Sequence, residues 1–186
     1  TIAQRKNSSY KYHIHKTKAN ISIDGNLEEE PWLKSQISDD FWMMLPMDTS
    51  KANLKTEVVM SYDDKNIYIA VLNYFPHEVY NIESLRRDWN FQKNDNFLIV
   101  FDTYNDQTNG FAFGVNAAGA QWDGQQYDGG PINLSWDNKW YSTVKQYEDH
   151  WVMEAAIPFK SIRYNTSLNT WGVNFGRNDL HSTEKS

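Results

Sequence analysis

This sequence has no cysteine, few prolines and glycines, no excess of basic charge and no long apolar run. Without cysteine there are no disulfides, no thiol nucleophile and no cysteine-ligated zinc. Five prolines in 186 residues argue against an extended proline-rich linker. No apolar stretch approaches the length that a membrane-spanning helix needs. The formal net charge is −6, and lysines and arginines do not cluster. Nucleic acid is therefore excluded as the main partner, because backbone binding needs grouped cations. No G-x-S-x-G, P-loop or H-E-x-x-H occurs. The acidic pairs Glu28–Glu30 and Asp39–Asp40 read as solvated charge, with no sign of two acids facing across a cleft. No catalytic residue is identified, and the chain is read as non-enzymatic.

What is present is aromatic and strand-like. Phenylalanine, tryptophan and tyrosine make up 15% of the chain, a share that suits pleated sheets or stacking surfaces. Residues 54–62 and 67–75 read as two strands joined by Asp63-Asp64-Lys65-Asn66. In the second, both alternating sets are apolar, so it should be covered on both faces. Residues 97–101, 110–116, 120–126, 140–147, 151–157 and 171–177 read as further strands. About ten short strands at this spacing predict an all-β, antiparallel β-sandwich in one domain. A short helix is expected over 28–37, where acidic residues precede Pro31. Strands are also expected at 19–24 and 41–45, and an extended segment over 1–18. The opening Thr1-Ile2-Ala3 before Gln4 reads as the tail of a cleaved signal peptide, hence export.

Six short tracts carry a resemblance. They are ISIDGNLEEEPW at 21–32, TEVVMSYDDKNIYIA at 56–70, DNFLIVFD at 95–102, FGVN at 113–116, EAAIP at 154–158 and WGVNFGR at 171–177. In this order they resemble carbohydrate-binding module family 9 over about residues 19–178. LRRDWNF, DTYNDQTNGFAF and IPFKSIRY are similar to a subgroup in which this domain opens a larger bacterial envelope protein, ahead of a membrane-barrel-like region. The resemblance implies non-catalytic glycan binding and an association with polysaccharide degradation. It also implies a location in the periplasm, outer membrane or extracellular space. A structural or interaction domain that has lost sugar binding is the alternative.

Four residues are nominated for carbohydrate: Trp89, Asn116, Trp122 and Gln125. Trp89 stands among polar residues before a core strand, and the resemblance gives it one wall of an aromatic clamp. Its other reading is a loop anchor buried against Tyr80 or Phe91. Asn116 matches the family's F-x-V-N strand, where polar side chains bond the sugar. Two residues earlier, sugar binders carry Arg and this chain carries Gly114. The family's second clamp tryptophan would fall beyond Ser186, so the sandwich is expected to be truncated at its C-terminus. Trp122 and Gln125 lie with Asp123, Asp128 and Asn133, a mixture of aromatic, amide and carboxylate groups that suits a polyol. Trp136 reads as a plug at the sandwich end. Asp102 and Asp106, within DTYNDQTNG, supply the oxygen ligands of a structural calcium site, although both are also turn formers. His13 and His15 read as a solvated pair without a third ligand.

Overall fold

The computed structural model describes residues 10–46, 50–76 and 80–186. Among the described residues, ten strands form two five-stranded sheets, with very little helix. In chain order the strands are β1 His15–Lys16, β2 Thr56–Tyr62, β3 Asn66–Tyr74, β4 Asn96–Asp102 and β5 Gly110–Asn116. They continue with β6 Gln121–Gln126, β7 Tyr141–Gln146, β8 His150–Pro158, β9 Gly172–Asp179 and β10 Glu184–Lys185. The first sheet runs β1-β2-β3-β8-β7 and the second β10-β9-β4-β5-β6. Every pairing is antiparallel except that of β1 with β2.

Alternation explains the core. Val58, Met60, Ile67, Ile69, Val71, Met153, Ala155 and Ile157 project from the first sheet onto Phe97, Ile99, Phe101, Phe111, Phe113 and Val115 of the second. One row of side chains per strand thus fills the space between the sheets. Arg177 fastens the sandwich at one end. Its guanidinium donates to the Lys55 carbonyl at 2.9 Å, to Thr56 Oγ1 at 3.0 Å and to the Tyr74 carbonyl at 2.5 Å. Burial lowers its pKa to about 10, with Asp179, Glu184 and Asp95 opposing.

β3 is covered on both faces, as its pattern predicts. The outer cover is the 21–32 segment, which packs Ile21 and Trp32 on Val59, Tyr68, Ala70 and Ala156. That segment is not a strand at 19–24, contrary to expectation. The Asp24 and Gly25 amides donate to Glu154 Oε2 at 2.9 and 2.7 Å, and the Ser22 amide to Glu29 Oε1 at 3.2 Å. Backbone donors that would join a ladder go to side chains instead. Gly25 is needed here: its φ is +82°, and a Cβ would lie 2.5 Å from Lys145 Cβ.

The helix α1 is Glu30–Lys34, five residues against the ten expected. Pro31 opens it, and Ser35 ends it in an extended conformation. Ser35 Oγ donates to the Pro31 carbonyl at 2.7 Å. Residues 41–45 form only two isolated bridges, Trp42 with Lys51 and Leu45 with Lys185. The reading of residues 1–3 as a signal-peptide remnant lies outside the described residues, as do residues 47–49 and 77–79.

Candidate functional site

The outer face of the second sheet carries three of the four nominated carbohydrate residues. Register places Gly176, Leu98, Gly114 and Trp122 in one row across β9, β4, β5 and β6. Alternate residues on a strand point to opposite faces. Trp122 therefore faces out, whereas Gln125 faces the inter-sheet side. Gln125 does not join the other three, and its Oε1 accepts the Tyr127 hydroxyl.

Trp89 does not present a free ring. It is 3% exposed and packs with Ala112 and Trp122, the two indole centroids 6.4 Å apart. Its Nε1–H donates to the Ala120 carbonyl at 2.8 Å. The loop-anchor reading holds, with Trp122 as the principal partner. Phe91 is partly buried against the same cluster, along with Leu98, Val100, Ala120 and Ile132. Trp122 is likewise buried, so neither tryptophan offers an open stacking face.

Asn116 is fully buried and has no donor to spare. Its Oδ1 accepts the Ala118 and Ala120 amides at 3.1 and 2.9 Å, closing the β5–β6 turn. Its Nδ2 donates to the Ser84 carbonyl at 2.7 Å. Asn94 Oδ1 in turn accepts the Glu83 and Ser84 amides at 2.9 and 3.3 Å. These buried amides hold the 80–95 loop against the sheet in place of regular pairing.

Gly114 decides what the face can hold. A Cβ there would lie 2.1 Å from Leu98 Cδ2 and 3.0 Å from the Phe97 carbonyl oxygen. The space a long side chain would need is filled by Leu98. At Gly176, by contrast, a Cβ would meet nothing within 4 Å. The result is a shallow face with an apolar floor, half-buried Leu98 and Val100, and exposed Asn174 near its β9 side.

Arg87, which sequence reasoning passed over, organises the opposite flank. Its Nη1 donates to Gln121 Oε1 at 2.7 Å, and its Nη2 bonds Asp123 and the Asn138 carbonyl. Asp137 Oδ1 is 2.8 Å away. Asp123 is fully buried; burial pushes its pKa up and the Arg87 charge opposes the shift. RRDW gave a hint, a cation two residues before a loop anchor, but the four partners lie 34 to 51 residues away.

Asp102 and Asp106, nominated as metal ligands, are engaged within their own loop. Asp102 accepts the Tyr104, Asp106 and Gln107 amides at 3.2, 3.1 and 2.7 Å. Asp106 accepts the Thr108 and Asn109 amides at 2.9 and 2.8 Å, and Asn109 Nδ2 at 2.7 Å. These bonds, led by the one from Asn109, hold the Asp106 carboxyl well below its usual range. The carboxylates close their own loop, as Asx turns do. No group of three or more metal-binding side chains is found among the described residues. Trp136 packs on Phe111 and Phe113, with centroids at 5.2 and 5.9 Å, in agreement with its reading as a plug.

The family described as carbohydrate family 9 binding domain-like matches residues 23–186. A family 9 carbohydrate-binding module from Caldicellulosiruptor kristjanssonii, solved with cellotriose, is similar in fold at a TM-score of 0.65. Identity is 17%, covering 93% of this chain and 80% of that one. The module from the same organism solved with glucose gives a TM-score of 0.63 at 18% identity, covering 92% and 81%. No curated protein matches by sequence.

Proposed function

On the premise that this chain belongs to the carbohydrate family 9 binding domain-like family, we propose that it is a non-catalytic carbohydrate-binding module. The observation that carries the reading is the family match, which spans residues 23–186 and so includes β2 to β10 of the sandwich. The solved relatives bound to cellotriose and glucose support the choice of ligand class. Export to the periplasm, outer membrane or extracellular space belongs to the same proposal. So does a link to polysaccharide degradation, in a longer protein with a membrane barrel. Those parts rest on the resemblance of residues 85–91, 102–113 and 157–164 to envelope proteins. The test is titration calorimetry of the chain with cellotriose and glucose, backed by a glycan array. Saturable heat with either sugar, or a consistent array signal, supports the reading; a blank on both removes it.

A second reading has one specific observation in its favour. Leu98 fills the space over Gly114, where sugar-binding members carry Arg. An interaction domain that keeps the sandwich and lacks a sugar site would look like this on its second sheet. It predicts no heat with any glycan.

A further inference from the structure

A groove of about 410 Å³ opens where the edge strand of one sheet meets the edge strand of the other. Ile23, Gln121, Trp140, Tyr141, Ser142 and Thr143 line it. It is open to solvent rather than enclosed, with a volume in the range of roughly 300–1,000 Å³ of small-molecule sites. The groove is separate from the outer face of the second sheet, since Gln121 projects to the inter-sheet side and the remaining walls come from the first sheet and its N-terminal cover.

The lining has the chemistry of a sugar site. Tyr141 is 48% exposed; Lys139 Nζ lies over one face of its ring, and the opposite face is the one offered to the C–H face of a pyranose. Ser142 and Gln121, on the inter-sheet side of β7, bring a hydroxyl and an amide, and Thr143, on the outer side with Tyr141, brings a second hydroxyl, so the lining wraps the free edge of this strand. The polar groups are held in place rather than left to rotate. Gln121 Nε2 donates to Ser142 Oγ at 3.0 Å, and its Oε1 accepts Arg87 Nη1 at 2.7 Å. Thr143 Oγ1 donates to the Ile23 carbonyl at 3.0 Å and keeps acceptor capacity. Nearby charge balances. Arg87 pairs with Asp123 and Asp137, and Lys139 Nζ lies 5.4 Å from the Tyr141 ring centroid. Two cations beside two carboxylates give no net attraction for an acidic saccharide.

We infer that this groove binds a neutral pyranoside straddling the free edge of β7, with the Tyr141 ring and Thr143 on its outer side and Ser142 and Gln121 on its inter-sheet side. The inference rests on the carbohydrate reading above and moves the site away from the filled face over Gly114. Arg87 acts as a positioning residue for Gln121.

The test titrates the whole chain with cellotriose, xylotriose and trigalacturonate, and repeats the titrations with three variants. Tyr141→Ala is expected to weaken neutral-sugar binding about tenfold or more, equivalent to about 1.4 kcal/mol or more, with an unchanged melting temperature. Tyr141→Phe keeps the ring and should stay within about twofold of the parent. Gly176→Arg places bulk on the outer face of the second sheet and should leave binding unchanged. In NMR titrations the amides of Gln121, Tyr141, Ser142 and Thr143 should shift first. Binding lost in Gly176→Arg and kept in Tyr141→Ala would overturn the groove while sparing the carbohydrate reading. Trigalacturonate binding in preference to the neutral sugars would overturn the neutral ligand. No binding of any of the three would overturn both.

Discussion

The indole N–H of Trp32 donates to Glu154 Oε1 at 3.0 Å across 122 positions of chain. The same carboxyl receives two backbone amides from the Asp24-Gly25 turn. Four residues of two sequence tracts, one near the N-terminus and one on β8, thus meet at one fully buried side chain. Burial raises the Glu154 pKa to about 7, and the Gly25 and Asp24 amides oppose the shift.

That shift sets a pH dependence. Between the ordinary value of 4.5 and about 7, the folded chain holds a proton on Glu154 that the unfolded chain has released. The folded state binds more protons, so this group's contribution to stability is fully present below 4.5 and is lost as pH rises to about 7. Glu154→Gln removes the titration. Its melting temperature should vary less with pH across that window than the parent's. Parallel profiles for parent and variant would contradict the assignment.

Trp89→Ala should lower stability by about 3–5 kcal/mol, the usual range for a large buried aromatic. The ring is packed against Trp122, and its N–H is bonded to the Ala120 carbonyl. Chemical denaturation measures the change. An unchanged unfolding midpoint would restore the open clamp wall.

Gly114→Arg should destabilise by about 1–3 kcal/mol through overpacking against Leu98. The penalty should shrink in a Leu98→Ala background, where the neighbouring space is cleared. A double-mutant cycle reads the coupling directly. Additive effects would mean that Leu98 is not the obstacle.

Millimolar calcium should leave the melting temperature where a chelator leaves it. The Asp102 and Asp106 oxygens already accept the loop's own N–H groups. A melting temperature that climbs with the logarithm of calcium concentration would show an ion bound to the folded state and support the site.

Strand patterning carries most of this fold. Ile67, Ile69 and Val71 on one side and Tyr68 and Ala70 on the other announced a strand covered twice, and both covers exist. The turn at Asp63-Asp64-Lys65-Asn66 was equally plain, since Asp63 Oδ1 accepts the Lys65 and Asn66 amides at 2.7 Å each. The site was less legible because its determinants are non-local. Trp89 among polar neighbours looks exposed until Trp122 arrives from 33 residues later. Gln125 and Trp122 look like partners until strand alternation separates them by a sheet. The 21–32 segment looks like a strand because nothing near it in sequence reveals that Glu154 will take its amides.

The bond between Trp32 and Glu154 also orders the folding of the chain in time. Residues 21–32 are synthesised long before β8, and domains emerge from the N-terminus first. Until β8 is paired between β3 and β7, the surface on which Ile21 and Trp32 rest lacks Ala156 and the Glu154 carboxyl that takes the Trp32 N–H. Contacts of such high sequence separation form slowly, because the entropy of closing the loop is lost before the contact returns anything. The N-terminal cover is therefore a late-docking element. Glu154 substitutions should act mainly on how fast it comes off again, speeding unfolding with little change in the folding rate.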